Sequence, residues 1–225
     1  MSQAAEQTLL PADLADIDAV IFDMDGILLD TERLYSEATR QVLAPYGMTL
    51  DWKLKSRMMG RAPLVSATLL VEETGIPLTP REFLDAKRPI LEGLFRTSEP
   101  MPGAIDLVER LAELGLHLGV ATSSERVYFE MKTSHHAWFS RFEVIVCGSD
   151  PEVKRLKPEP DIFLEVARRL GVDPARCLVF EDSLAGVEAA VAAGMRVIAL
   201  PDPHIDRADY AIASRIIGSY AELAF

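Results

Sequence analysis

The residues best suited to chemistry lie in AVIFDMDGILLD, residues 19–30, where Asp23 and Asp25 follow four apolar positions and precede Gly26. Two carboxylates one residue apart at the exposed end of a buried strand can share a group transfer, one as nucleophile and one as proton carrier. Further polar groups follow in chain order: Thr122 and Ser123 in GVATSS, Lys157 in RLKPEPDIF, and Glu181 with Asp182 in CLVFEDS. Phosphoryl transfer uses all of them. A phosphate ester repels a bare carboxylate, and Mg²⁺, which accepts sites with one or two carboxylates plus water, cancels that repulsion. Asp23 and Asp182, with Glu181 as a further candidate, can hold the ion. One Asp23 oxygen would then attack phosphorus to give an aspartyl-phosphate. Asp25 would protonate the leaving oxygen and later deprotonate the attacking water, while Thr122, Ser123 and Lys157 bind phosphoryl oxygens.

Each piece alone has a plainer reading. Asp-Met-Asp can be a solvated turn, Glu181–Asp182 an acidic helix start, Thr-Ser-Ser a helix cap and Lys157 a surface lysine. The spacing and chain order of all four together carry the argument.

The elements that must position these groups are short and apolar. Runs at 18–23, 116–121, 142–147, 177–181 and 196–200 read as buried strands, separated from 103 onward by helical patterns at 103–115, 160–171 and 183–194 that each end in Gly. Such alternation predicts an α/β fold with a parallel sheet covered on both faces, whose functional groups gather at the strands' carboxyl ends. Residues 35–98 break the rhythm with helical patterns and no convincing strand. They read as a helical domain inserted into a core made of 1–34 and 99–225. Arg61, in MMGRAP between two of its helices, is placed to overhang the site and touch the substrate's leaving group; an ordinary exposed arginine is the equal alternative. Trp52, Met58 and Met59 read as core of the inserted domain, and His135–His136 as surface residues.

Asp-Met-Asp-Gly, the Thr-Ser pair, Lys-Pro and EDS-x-AG together resemble the four motifs of the haloacid dehalogenase superfamily of phosphohydrolases, over almost the whole chain. The resemblance implies a Rossmann-like core and a mobile cap domain at 35–98. It also implies Mg²⁺ held by the Asp23 carboxylate, the Asp25 backbone carbonyl and Asp182, with Glu181 close by. Segments such as FEMKTSHH and KPEPDIFL resemble the pseudouridine-5′-phosphatases and glycerol-3-phosphatases within it. The chain departs from them in GSDPEV and in EDSLAG, whose Ser183 is shared with β-phosphoglucomutases. Mutases of that type carry a His where this chain has Tyr35, and a tyrosine does not titrate near neutrality without a large shift. Hydrolysis of a small phosphorylated metabolite is therefore expected over phosphosugar mutase activity. An inactive binding domain, the third reading, would have lost the nucleophile, the lysine or the metal acid.

Composition sets the outer bounds. At 225 residues, 49% hydrophobic and 26% charged, the chain is an ordinary globular protein. A formal charge of −12 and a pI near 4.8 speak against nucleic-acid or anionic-membrane partners. Cys147 and Cys177 lie within strand-like runs and are expected to be buried and reduced. The opening lacks a signal-peptide pattern and no apolar run is long enough to span a bilayer, so a cytoplasmic protein is expected; the expected oligomeric state is a monomer.

Overall fold

The structure, a computed structural model, describes residues 16–58 and 63–223. Six parallel strands form one sheet: β1 (Ala19–Phe22), β2 (His117–Thr122), β3 (Val144–Cys147), β4 (Cys177–Glu181), β5 (Arg196–Ala199) and β6 (Arg215–Ile216). They lie in the order β3-β2-β1-β4-β5-β6. Chain direction across the sheet thus reverses between β1 and β4, where an open α/β sheet leaves a crevice.

The strands are continuously apolar because both faces are covered. On one face Val20 and Phe22 join Leu107, Val108 and Leu111 of α5 (Ala104–Glu113). On the other, Ala19 and Ile21 pack with Phe163 and Val166 of α7 (Asp161–Leu170) and Val187 of α8 (Leu184–Ala192). The rings of Phe22 and Phe180 stack across neighbouring strands, with centroids 5.1 Å apart. Cys147 and Cys177 are buried and free, and burial pushes both thiols up to about 11.

Between β1 and β2 the chain forms α1 (Glu32–Leu43), α2 (Trp52–Met58), α3 (Pro63–Thr74) and α4 (Pro80–Phe95). These helices build a separate cluster around Leu43, Leu54, Leu70 and Phe83. A capping box starts α4: the Thr79 hydroxyl accepts from Glu82 N, and the Glu82 carboxylate accepts from Thr79 N. The helical segment begins at Glu32, three residues before the sequence places it, so Tyr35 already lies on a helix. Its two connections run side by side: Asp30 N donates to Glu99 O and Met101 N to Leu28 O, both at 2.9 Å. Trp52 departs from its expected place in the helical core. It is 42% exposed and its ring meets that of His204, in the loop after β5, at 4.2 Å. Met58 does pack against the helical cluster, and Met59 lies outside the described residues. Among the described residues no helix is long and apolar enough to cross a membrane.

Candidate active site

The hydrogen-bond ladder fixes the first acid. Asp23 N donates to Phe180 O at 3.0 Å, which carries Asp23 past the end of β1 and level with Glu181. The turn that follows needs glycine for two reasons. Gly26 has φ +82°, and a Cβ there would come within 2.4 Å of Asp182 Oδ2. The Asp-Met-Asp-Gly motif and Asp182 are therefore packed against each other.

Lys157 is no surface lysine; its side chain is 5% exposed. Its ammonium donates to Asp23 Oδ1 at 2.5 Å, Glu181 Oε1 at 2.6 Å and the Ala121 carbonyl at 3.0 Å, which uses all three of its protons. Burial works against its charge, yet the two carboxylates prevail and hold its proton more tightly than usual. Burial pushes the Asp23 carboxyl up to about 7 despite the pull of Lys157, with repulsion from Glu181 and Asp25 adding to the rise. Asp182 is driven well above the carboxylate range by burial and then by the charges of Glu181 and Asp23.

Glu181 departs from its expected place among the metal acids. It is 0% exposed, and with Oε1 bound to Lys157, Oε2 accepts from Ser183 N at 2.8 Å and Ser183 Oγ at 3.0 Å. A Cβ at Gly186 would collide with this carboxylate, at 1.8 Å from Oε1, so the glycine of EDS-x-AG makes room for it. The carboxylate is filled by Lys157 and the start of α8, which turns it away from a cation.

Asp25 is held differently. Its Oδ1 accepts from Thr31 Oγ1 and from Lys132 Nζ, each at 2.5 Å, and its Oδ2 accepts from Ser124 Oγ at 2.9 Å. Burial alone would raise this carboxyl, but the Lys132 charge and these hydrogen bonds hold it below its usual value. Ser123 lines the site, whereas Thr122 is buried behind it, its Oγ1 accepting from Ser124 N at 3.1 Å. Arg61 lies outside the described residues.

These groups surround a cavity of about 210 Å³ whose lining includes Asp23, Asp25, Glu32, Tyr35, Lys157 and Asp182. A larger one, about 340 Å³, lies in the helical segment, where Arg57 and Glu73 pair with each other at 2.6 Å. Asp51 and Lys53 line it too, but Asp51 is taken up by Leu54 N at 2.7 Å and Glu73 by Arg57. The smaller cavity lies at the strand ends and gathers Asp23, Asp25, Lys157 and Asp182, so it is the candidate site. Among the described residues no three His, Cys, Asp or Glu side chains stand together as a ready metal cage. Two mutually repelling carboxylates, Asp23 and Asp182, remain, a donor set that fits a hard cation that keeps several waters.

Sequence reasoning missed Lys132 and Thr31, and placed Ser124 at the strand end without a role. Lys132 did leave a signal: in RVYFEMKT it sits three residues after Phe129, on the buried face of α6 (Arg126–Thr133), just beyond the Thr-Ser-Ser strand end. A lysine on the apolar face of a helix needs a buried acid.

The model of the haloacid dehalogenase-like hydrolases matches residues 20–200. The chain is 43% identical over 221 residues to (DL)-glycerol-3-phosphatase 1, mitochondrial, of Arabidopsis thaliana, which covers 96% of this chain and 74% of that protein. It is 42% identical over 213 residues to a Drosophila melanogaster protein named "Probable pseudouridine-5′-phosphatase", over 93% of this chain and 92% of the relative. The crystal structure of a HAD family hydrolase from Deinococcus radiodurans R1 with bound phosphate and sodium superposes with a TM-score of 0.79. That pair is 28% identical, with 92% of this chain and 93% of the other covered. The family match thus takes in the acids after β1, the helices that follow them, Lys157 and the Glu181–Asp182 pair, and the chain belongs to the haloacid dehalogenase-like hydrolases.

Proposed function

We propose that this hydrolase is a Mg²⁺-dependent phosphomonoesterase that acts on a small phosphorylated metabolite through an aspartyl-phosphate on Asp23. The observation that carries this reading is the Lys157 ammonium, 2.5 Å from Asp23 Oδ1 at the crevice where the sheet reverses. A cation held beside a nucleophilic carboxylate by a second, buried carboxylate is an arrangement for receiving an anion.

Asp23, Asp182 and the Asp25 backbone carbonyl would hold Mg²⁺, and bound there it would neutralise phosphate charge so that a carboxylate can approach phosphorus. Lys157, kept in place by Glu181 and the Ala121 carbonyl, would turn the proton it gives Asp23 to a phosphoryl oxygen, and Ser123 would bind another. Thr122 Oγ1 accepts from Ser124 N and keeps its own proton to donate. An Asp23 oxygen bonds to phosphorus as the ester P–O bond breaks, and Asp25 hands the leaving oxygen a proton. Lys132 holds Asp25 as the anion in the arrangement described, so that proton enters with the substrate, whose second phosphate ionisation lies near pH 6, about that of a phosphorylated side chain. Water then attacks phosphorus, Asp25 takes its proton, and phosphate departs from the regenerated Asp23 carboxylate.

The helices from 35 to 98 would act as a mobile cap. Their paired connections lie next to Asp25 and Thr31, and Glu32 and Tyr35 of α1 line the cavity. At about 210 Å³ the cavity is below the usual range for ligand sites, roughly 300 to 1,000 Å³, which suits a ligand bound largely by its phosphate. The phosphatase names of the relatives point the same way. Tyr35 speaks for hydrolysis over mutase chemistry: burial and the nearby Asp25 and Glu32 charges push its hydroxyl well above its ordinary value, so it shuttles no proton near neutrality.

The test is phosphate release from a panel of phosphorylated polyols, sugars and nucleosides, with Mg²⁺ and with EDTA. The wild-type protein is expected to turn over in Mg²⁺ alone, and Asp23→Asn to lose at least about a thousandfold. Turnover that survives EDTA, or Asp23→Asn, contradicts the reading.

A further inference from the structure

Lys132 is 0% exposed, although lysine is almost never fully buried without a partner. Its ammonium points at Asp25 Oδ1 at 2.5 Å, Ser124 Oγ at 2.9 Å and the Tyr35 hydroxyl at 3.4 Å, so each of its three protons has a target. Aromatic faces close around it, with the Phe95 centroid 4.6 Å and the Tyr35 centroid 5.5 Å from Nζ. Those rings meet edge to face at 5.5 Å, and Phe95 meets Tyr128 in the same manner at 5.7 Å. The backbone is tied as well: Ser98 Oγ, in the second connection of the helical segment, donates to the Lys132 carbonyl at 2.6 Å.

We propose that Lys132 is a positioning residue for Asp25, fixing that carboxylate for proton transfer to and from the leaving oxygen, and that the rings of the helical segment fix Lys132 in turn. This rests on the reading of Asp25 as the proton carrier. The other two partners of the carboxylate, Thr31 and Ser124, are hydroxyls that swivel about their own bonds. Lys132 brings a charge walled in on its other sides by rings. The ammonium is also where α1 and α4 touch the chemistry, because Tyr35 and Phe95 come from those helices while Asp25 follows β1.

The experiment uses leaving groups of different quality. With enzyme in excess and Mg²⁺ present, release of the leaving group reports the first chemical step alone. An alkyl phosphate such as glycerol 3-phosphate needs a proton at its leaving oxygen, whereas p-nitrophenyl phosphate departs without one. General acid catalysis contributes about 10²- to 10⁴-fold, so K132M is expected to slow the alkyl substrate about 100-fold and the aryl substrate less than about 5-fold. KM for the two should stay within about twofold of wild type. D25N, measured alongside, should show the same split more strongly. Equal losses on both substrates in K132M while D25N splits them would give Lys132 a merely structural role and overturn the proposal. Equal losses in D25N would instead overturn the reading of Asp25, and this proposal with it. Should K132M fail to melt cooperatively, K132R makes the same comparison. It keeps a charge in the cage but displaces the donor from Asp25, so a split of at least about threefold is expected and equal losses again overturn the proposal.

Discussion

At the scale of single residues, the site is a set of charges that cannot be removed one at a time. Lys157 lies between Asp23 and Glu181, and the three side chains are 5%, 10% and 0% exposed. Removing one member of a buried ion pair strands the other and costs about 3–5 kcal/mol. Lys157→Met is therefore expected to lower stability by about that amount in denaturant titration, as well as abolishing turnover; an unchanged midpoint would show that the lysine is not the counter-charge we describe. The acids are legible in the sequence because each follows a short apolar run and so stands at a strand end, and Lys157 is legible from its place before Pro158 in the loop between β3 and α7. Their roles within the cluster are less so. Glu181 and Asp182 are neighbours of the same chemical type, and which of them turns inward to Lys157 depends on the space at Gly186 and the donors of Ser183. Lys132 is harder still, since its partner is 107 residues away and only the fold brings the two together.

At the scale of elements, the buried strands and the long helices are the readable part. The five strands expected from apolar runs match β1 to β5 to within two residues at their ends, since both faces of the sheet demand apolar side chains. The misses are short or polar. β6 has two residues, α2 has seven, and α6 carries Lys132 on its buried face, which spoils its apolar stripe. Helix α7 carries a testable charge device: Glu165 accepts from Arg168 Nε at 2.7 Å and Arg169 Nε at 2.6 Å. Those bonds, Arg168 first, lower its carboxyl from the usual 4.5 to about 2. Because the folded value is depressed, its stabilising effect is complete above 4.5 and fades as pH falls toward 2. Arg168 is 68% exposed, so after solvent screening the contribution is about 1 kcal/mol. Glu165→Gln should lower Tm at pH 7 by about 2–4 °C, with the difference from wild type vanishing near pH 2. A difference constant across that range would show that packing, not charge, accounts for it.

At the scale of the whole molecule, a protein of net charge −12 is read as binding an anion. Long-range attraction does not help it, so on the proposed function the affinity would be local, from Lys157 and a divalent ion at the crevice where the sheet reverses. The helical segment is joined to the core by two adjacent strands of chain at one end, and Trp52 rests on His204 of the core elsewhere. The proposed function turns on one bond, between an Asp23 oxygen and phosphorus, and the most direct measurement is to look for it. The protein, mixed with Mg²⁺ and an excess of a turned-over phosphomonoester, is quenched in acid within the first turnover and its peptides are weighed. We predict the added mass of one phosphoryl group on the peptide that contains Asp23, absent from Asp23→Asn. A phosphoryl group on another side chain, or none during active turnover, would contradict the account.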